Sequence, residues 1–584
     1  MKRPVRIRLC IAATVAAVVT LSAATDGGPG SIEKGELKEW LSYIASDELE
    51  GRALYSTGLG LAAAYIENHL RMWGTKPAGD NGVSYLQTVR VLGVKATGHS
   101  TVTIEVGGQT RTFADGEGVT FPKNVGGKRR VTIDRIEFAG YGVDAPRANH
   151  VDFAGKDVKG AAVVWLGTRG PRDMNGSSSR GLLTSRNRYA TEQLRAAAVI
   201  GPERAPAAGR AGGAGEAGGA GGAGGAEGAG GARGAGTAGG QGGRGGQIPA
   251  ADFTTTQRLD LPVTPAVGAS DEFFEMLFSR APAKYEELKR KADAQEPLPS
   301  FRLTGVKLTF NLDPDYEIVR TQLTHNVVAL VEGSDPLLKN TYVAFGAHYD
   351  HVGYSEGEVV STGNGPRRIA PPQAGFVKPG AENDRIWNGA DDDGSGTVAM
   401  MALAKAFAEG PRPKRSLLFV WHTGEERGRY GSLYFADYPT VPLASIVTQL
   451  NIDMIGRNRD NKPAEWETLY LVGSDRISSE LDAVTRAANA SLAQPMTLDY
   501  EFNDPADPEQ LYFRSDHYSY AAKGIPVIFF TTALHPDYHM NTDEVSKIEF
   551  DKMARIAGLI YETGWRVANL DHALVRDNKG ARAK

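Results

Sequence analysis

His348-Tyr-Asp350, the run Asn388-Gly-Ala-Asp391-Asp392-Asp393-Gly-Ser-Gly396, Glu425-Glu426, Asn451-Ile-Asp453 and Tyr538-His539 follow one another down the C-terminal half of the chain, each beside a short apolar run. Carboxylates and imidazoles in this number form an oxygen and nitrogen donor set suited to a pair of zinc ions, with no thiolate needed. Three adjacent aspartates at 391–393 repel one another unless a cation or a helix N-terminus compensates, and the Gly-Ser-Gly and helical pattern that follow supply the second of these. Asp453 sits in an otherwise apolar run, Ile452-Asp-Met-Ile455, where an unpaired carboxylate is expensive and a metal or buried partner is expected. In Glu425-Glu426, one carboxylate can bind an ion while its neighbour acts as base. Asp350, two residues after His348, faces the same side of an extended segment and can hold the imidazole in one tautomer. Six of the eleven histidines fall between 348 and 539.

These residues need elements to place them. From about 318 onward, apolar β-type runs alternate with helical stretches: Asn326–Val331, Thr341–Ala347, a helix over Thr397–Glu409, Ser416–Trp421, Ile446–Met454, Leu469–Val472 and Ile525–Thr531. Such alternation predicts an α/β sheet with helices on both faces, and four of the motifs lie at C-terminal ends of strand runs, where open sheets of this kind gather ligands. A final helix over Glu549–Val567 carries Phe550, Met553, Ile556 and Ile560 on one stripe.

Upstream, Glu33–Ala45 and Leu59–Trp73 read as amphipathic packing helices, and from about 100 short β-rich runs such as Val102–Val106 and Ala161–Leu166 predict a separate small domain. Residues 201–247 are almost entirely Gly and Ala, a composition that cannot offset its own chain entropy and reads as a disordered insertion. With 584 residues, 41% of them hydrophobic, the chain suffices for two cores.

Lys2, Arg3, Arg6 and Arg8 precede an apolar run from Leu9 to Val19, with Ser22, Ala23 and Ala24 as a cleavage site, which predicts an export signal over 1–24 and a periplasmic or secreted protein. The run is shorter than the roughly 20 residues of a membrane span, so no stable span is expected after cleavage. The one cysteine, Cys10, lies inside that signal, and the mature chain is expected to have no disulfide. A net charge of −4 leaves no basic field for nucleic acid; small or peptidic substrates fit better.

Taken together and in order, the motifs resemble the co-catalytic zinc aminopeptidase and glutamate carboxypeptidase family of metallopeptidases. The likeness covers about 318–568 and reaches Ala45-Ser-Asp-Glu-Leu-Glu-Gly-Arg52. Phe138-Ala-Gly-Tyr-Gly142 and Asp152-Phe-Ala-Gly-Lys-Asp-Val158 look like the protease-associated domain that many members carry. The resemblance implies an α/β zinc exopeptidase fold, a mixed central sheet sandwiched by helices, with an inserted β-rich protease-associated domain. The expected divisions are a signal over 1–24, an N-terminal helical part over 30–112, the insert over 113–317, the zinc peptidase domain over 318–568 and a tail over 569–584. It also implies two zinc ions: His348 and Asp453 as terminal ligands of one, Glu426 and His539 of the other, Asp391 as the shared carboxylate, Glu425 as general base and Asp350 orienting His348. Spacing alone does not choose among Asp391, Asp392 and Asp393.

Tyr538 is a candidate phenol donor to the oxyanion, with simple packing as the other reading. The segment Val352–Asn388 is expected to form a loop over the pocket, Ser515-Asp516-His517 to give structural support, and Met540 stands where family members commonly have threonine.

The expected activity is removal of N-terminal residues from peptides. A carboxypeptidase of the same fold stays open through Arg367, Arg368, Arg385, Arg427 and Arg429. A glutaminyl cyclase-like acyltransferase and a catalytically inactive binding ectodomain are the more distant alternatives. Whether the insert caps the cleft or joins two copies as a homodimer is not legible in the sequence.

Overall fold

The Ser56 hydroxyl accepts the N–H of Leu59 and starts the helix Thr57–Met72, which with Lys34–Ile44 forms the N-terminal pair, named α2 and α1. The computed structural model describes residues 28–174, 177–203, 250–362, 365–370 and 373–577. The expected signal and nearly all of the Gly/Ala-rich stretch lie outside the described residues, as does the end of the tail.

A ten-stranded sheet forms the centre. Its strands that matter here are β1 (Leu86–Gly98), β2 (Pro314–Val331), β3 (Tyr342–His348), β4 (Ser416–His422), β5 (Ile446–Ile452), β6 (Thr468–Val472) and β7 (Val527–Thr531). They lie in the order β1-β2-β4-β3-β5-β7-β6, with Phe253–Thr255 outside β1 and Thr497–Asp499 outside β6. Strands β4, β3, β5 and β7 are mutually parallel; β2 runs antiparallel to both of its neighbours, and β6 runs antiparallel to β7 but parallel to Thr497–Asp499. Every residue of β4 is buried, as a strand covered on both faces requires.

Alternation within the strands sends side chains to two cores. Val327, Phe345, Phe419, Leu450 and Phe530 pack against α1, α2, α3 (Gly396–Glu409) and α4 (Phe550–Asn569). Val328, Ala344, Leu418, Val420 and Phe529 face the other way, toward Phe435, Tyr518 and Tyr520. Helix α4 lays Met553, Ile556 and Ile560 on the first core along one stripe. This is the α/β architecture the alternating pattern predicts.

A second ten-stranded sheet takes strands from Thr101–Val106 through Val306–Leu312 and has its own core around Phe138, Ile200, Phe273 and Phe310. Strands Thr101–Val106 and Gln109–Asp115, expected to end the N-terminal part at 112, belong to this sheet. The reason is non-local: Thr101–Val106 pairs with Val306–Leu312. No helix among the described residues is long and apolar enough to cross a membrane.

Candidate metal centre and cleft

The four parallel strands end on one edge of the main sheet, and each delivers a polar residue there. His348 closes β3, Glu425 and Glu426 occupy a single 3-10 turn after β4, and Asp453 follows β5 directly. Tyr538 and His539 come from the loop after β7. The aspartate run forms the tight turn that leads into α3.

Asp392 stands at the centre. Its Oδ1 lies 3.3 Å from Nε2 of His348, and its Oδ2 lies 3.1 Å from Nε2 of His539. On the His348 side, Asp453 Oδ1 is 3.8 Å from the same Nε2. On the other, Glu426 Oε2 is 3.1 Å from His539 Nε2. Donors bound to one zinc at 2.0–2.2 Å in a tetrahedral shell stand roughly 3.3 Å apart, so these separations fit two neighbouring ions with Asp392 between them. The structure thus brings together His348, Asp453, Glu426 and His539 as expected, with one substitution. Asp391, expected as the shared carboxylate, points away: Oδ2 is 3.2 Å from His535 Nε2, and Oδ1 accepts the Gly456 N–H at 2.6 Å. Asp392 takes the place between the two histidines, because the N–H groups of both Asp391 and Asp392 are drawn to one carboxylate oxygen of Asp543. The Asp392–Asp393 peptide bond is cis. Asp393, also near His348 and Asp453, has its oxygens engaged by the backbone N–H groups of His348, Gly396 and Met454.

The orientation of His348 has a different source from the one expected. Its Nδ1–H donates to the backbone carbonyl of Asp350 at 3.1 Å, while the Asp350 carboxylate is 3.8 Å away. A carbonyl can only accept, so Nε2 is the nitrogen left to face Asp392 and Asp453. The Asp350 carboxylate receives the backbone N–H of Glu425 at 3.1 Å and of Glu426 at 3.4 Å, which fixes the turn that carries both glutamates. Asp453 is braced by the Ser515 hydroxyl at 2.6 Å, and Ser515 by Asn451, so the Ser515-Asp516-His517 segment does supply support.

Electrostatics follow from burial and crowding. Burial alone would lower His348 and His539, but Asp392 with Asp453 for the first, and Glu426 with Asp392 for the second, hold both well above the usual histidine range. Burial raises Asp392, yet His348 and His539 outweigh it and keep the carboxylate well below its ordinary value. Glu425 is raised well above the carboxylate range by burial, with Asp516, Glu426 and Asp453 adding to the shift and His348 opposing it. The concentration of buried negative charge is what a cation would satisfy. His539 itself sits at φ 55°, in the left-handed region sparsely used by side-chain-bearing residues.

A cavity opens beside these groups, lined by Glu425, His348, Asp392, Asp453 and His539 on its polar side and by Met454, Leu511, Phe529, Ala533 and Leu534 on its apolar side. Tyr538, Arg514, Ser515 and Thr531 complete it. Arg514 Nη2 donates to the Tyr538 hydroxyl at 3.1 Å, which leaves the phenolic hydrogen free to point elsewhere. Sequence reasoning left Arg514 unnamed; its position directly before Ser515-Asp516-His517 was the available signal. Of the arginines that kept a carboxylate pocket open, none lines the cavity. Arg368 is spent on the carbonyls of Gly357 and Glu382, and Arg385 pairs with Glu356. A loop over the pocket was expected of Val352–Asn388; its described residues include short antiparallel strand pairs, and none of them lines the cavity.

The family model described as Peptidase family M28 matches residues 326–564. Leucine aminopeptidase 1 of Trichophyton equinum is 24% identical over 246 residues, 40% of this chain and 56% of that protein. A probable leucine aminopeptidase of Arthroderma benhamiae is 28% identical over 236 residues, 39% of this chain and 54% of that protein. The chain spans about half the length of the curated relatives it matches. Among solved structures, an aminopeptidase from Aneurinibacillus aligns over 94% of this chain and 97% of that one, with a TM-score of 0.41 at 17% identity. A zinc aminopeptidase from Bacillus subtilis aligns over 94% and 97%, with a TM-score of 0.40 at 16% identity.

Proposed function

We propose, from the premise that residues 326–564 form a Peptidase family M28 domain, that this protein is an exported two-zinc aminopeptidase. The observation that carries the reading is Asp392, whose two oxygens face two different histidines, each backed by its own carboxylate. His348, Asp453 and one oxygen of Asp392 would hold one zinc; His539, Glu426 and the other oxygen would hold the second. Bound zinc supplies Lewis acidity toward the scissile carbonyl and lowers the pKa of water.

Glu425 then takes the proton from the attacking water and delivers it to the departing amine. Its place at the cavity wall and the Asp350 carboxylate under its turn support that role. The Tyr538 hydroxyl, held by Arg514, donates to the oxyanion as it forms. Met454, Leu511, Phe529, Ala533 and Leu534 receive an apolar side chain of the residue removed. Arg514, the one arginine or lysine lining the cavity among the described residues, is already engaged with Tyr538 and Glu509, which favours recognition of a free amine over a free carboxylate.

The test offers purified protein a peptide with both ends free, its N-acetylated form and its C-amidated form. Trimming of the free and amidated peptides with the acetylated one intact is expected; the reverse pattern would indicate a carboxypeptidase. Chelation should abolish hydrolysis and zinc restore it, and Glu425→Gln should lose activity while retaining metal.

A further inference from the structure

On the Glu426 side, a residue that the reading above does not use points into the same volume. His351 is buried, and its Nδ1 lies 2.8 Å from Glu426 Oε1 and 4.0 Å from Asp392 Oδ2. The shorter contact is not aligned as a hydrogen bond. His351 Nδ1, Glu426 Oε1 and Asp392 Oδ2 all lack a hydrogen-bond partner among the described residues, and the three residues offer donor atoms within 4.8 Å of one another. Buried polar atoms are seldom left in this state, and orphans that converge on one point are what a cation resolves. His539 closes the set, its ring centroid 5.9 Å from that of His351. The His351 ring is also held in place. It lies so close over Gly389 that a Cβ there would meet its Cγ and Cδ2 at 2.5 Å, and the His351 N–H donates to the Arg52 carbonyl at 3.2 Å.

We infer that His351 is a fourth protein ligand for the zinc on the Glu426 side, an inference that rests on the two-zinc reading. The two ions are then held unequally. Two imidazoles with Asp392 and Glu426 close the shell on this side, as in sites that hold metal structurally. On the other side, one imidazole with Asp392 and Asp453 leaves a position open to substrate. The Glu426 side loads first and releases its ion last.

Cobalt(II) added to the metal-free full chain tests this, because each coordinated histidine gives one strongly shifted, exchangeable ring N–H resonance in the proton NMR spectrum. One equivalent should give two such resonances and a second equivalent a third. In His351→Ala, one resonance should vanish, and zinc affinity of the tighter site, read by competition with a chromophoric chelator, should fall at least about tenfold. If wild-type protein with two equivalents shows only two histidine resonances, or the first equivalent shows one, the inference is overturned while the two-zinc reading stands. If His348→Ala and His539→Ala both bind cobalt as wild type does, the underlying reading fails instead. The wild-type count needs no variant to fold.

Discussion

Asp391 and Asp392 are neighbours in the chain, yet their carboxylates serve opposite sides of the turn: Asp391 Oδ2 stands 3.2 Å from His535 Nε2, and Asp392 Oδ1 stands 3.3 Å from His348 Nε2. Asp392→Asn should therefore reduce bound zinc below two per chain and lower kcat/KM by about a thousandfold or more, the scale of losing a principal catalytic interaction. Asp391→Asn should keep its zinc and lose about 1–3 kcal/mol of stability, because the Gly456 N–H loses a charged acceptor and His535 the carboxylate charge beside it. Metal analysis and thermal unfolding of the two variants separate these outcomes; a zinc-free Asp391→Asn beside a zinc-replete Asp392→Asn would reverse the assignment.

On the proposed mechanism, Arg514 acts through Tyr538, to whose hydroxyl it donates. Tyr538→Phe and Arg514→Met should each reduce kcat by about 10²–10³-fold with smaller changes in KM, as for loss of an oxyanion donor. The double variant should be little worse than Tyr538→Phe alone, because the arginine's contribution is spent on the phenol. Additive losses in steady-state kinetics would show that Arg514 acts on substrate independently.

Asp507 gives the fold a pH dependence that can be isolated. Burial raises its carboxyl to about 6 from an ordinary 3.8, although the N–H groups of Leu511 and Glu509 partly offset the shift. The folded state then binds the proton more tightly than the unfolded chain, so the stabilising contribution is complete below about pH 4 and is lost as pH rises toward 6. Asp507→Asn should remove this slope and exceed wild type above pH 6 by up to about 3 kcal/mol. Urea unfolding at pH 4 and pH 7 reads the difference, and equal slopes for the two proteins would refute it.

Arg52, fully buried, donates to the carbonyls of Ile44, Tyr349, Asn388 and Gly389 at 2.5–3.0 Å. It thereby ties the N-terminal helices to the loops on either side of His348 and Asp392. Arg52→Met orphans several of these carbonyls and should cost about 3–5 kcal/mol, with zinc affinity falling in parallel. Differential scanning calorimetry with and without zinc checks it; an unchanged melting temperature would sink the claim.

The parallel strands of the main sheet and α4 were legible because each announces itself locally, whereas Leu86–Gly98, which pairs with the distant Pro314–Val331, went unread. Ser416–His422 is apolar throughout, and α4 repeats its apolar positions at helical spacing. Four of the motifs could be placed at strand ends from the pattern alone, and the choice of His348, Glu426, Asp453 and His539 among their residues came from the family resemblance. What escaped the sequence depends on backbone direction and distant pairing. Asp391 and Asp392 have the same side chain, and only the turn held by Asp543 decides which faces the histidines. Asp350 has both a carbonyl and a carboxylate within reach of His348, and the closer one is main chain, invisible to side-chain reasoning. The change of pattern near 100 marked the start of the second sheet, while the division at 113 drawn from the resemblance cut into it, because Thr101–Val106 finds its partner about two hundred residues later.

That second sheet leaves and rejoins the main one across facing rungs of a single ladder, with Gly98 of β1 opposite Pro314 of β2. The order of the strands that carry the clustered histidines and carboxylates is therefore indifferent to everything between those two residues, and a two-residue turn would close the gap. Among the described residues, the main sheet would forfeit only its outermost strand, Phe253–Thr255. The unit is detachable by covalent topology while being held down in space, since the Arg188 guanidinium lies over Phe513 and Ser185 meets Gln510 along the cleft wall. A lineage could acquire or shed it in one genetic event, and the cost would fall on contacts such as these and not on the order of the strands beneath it.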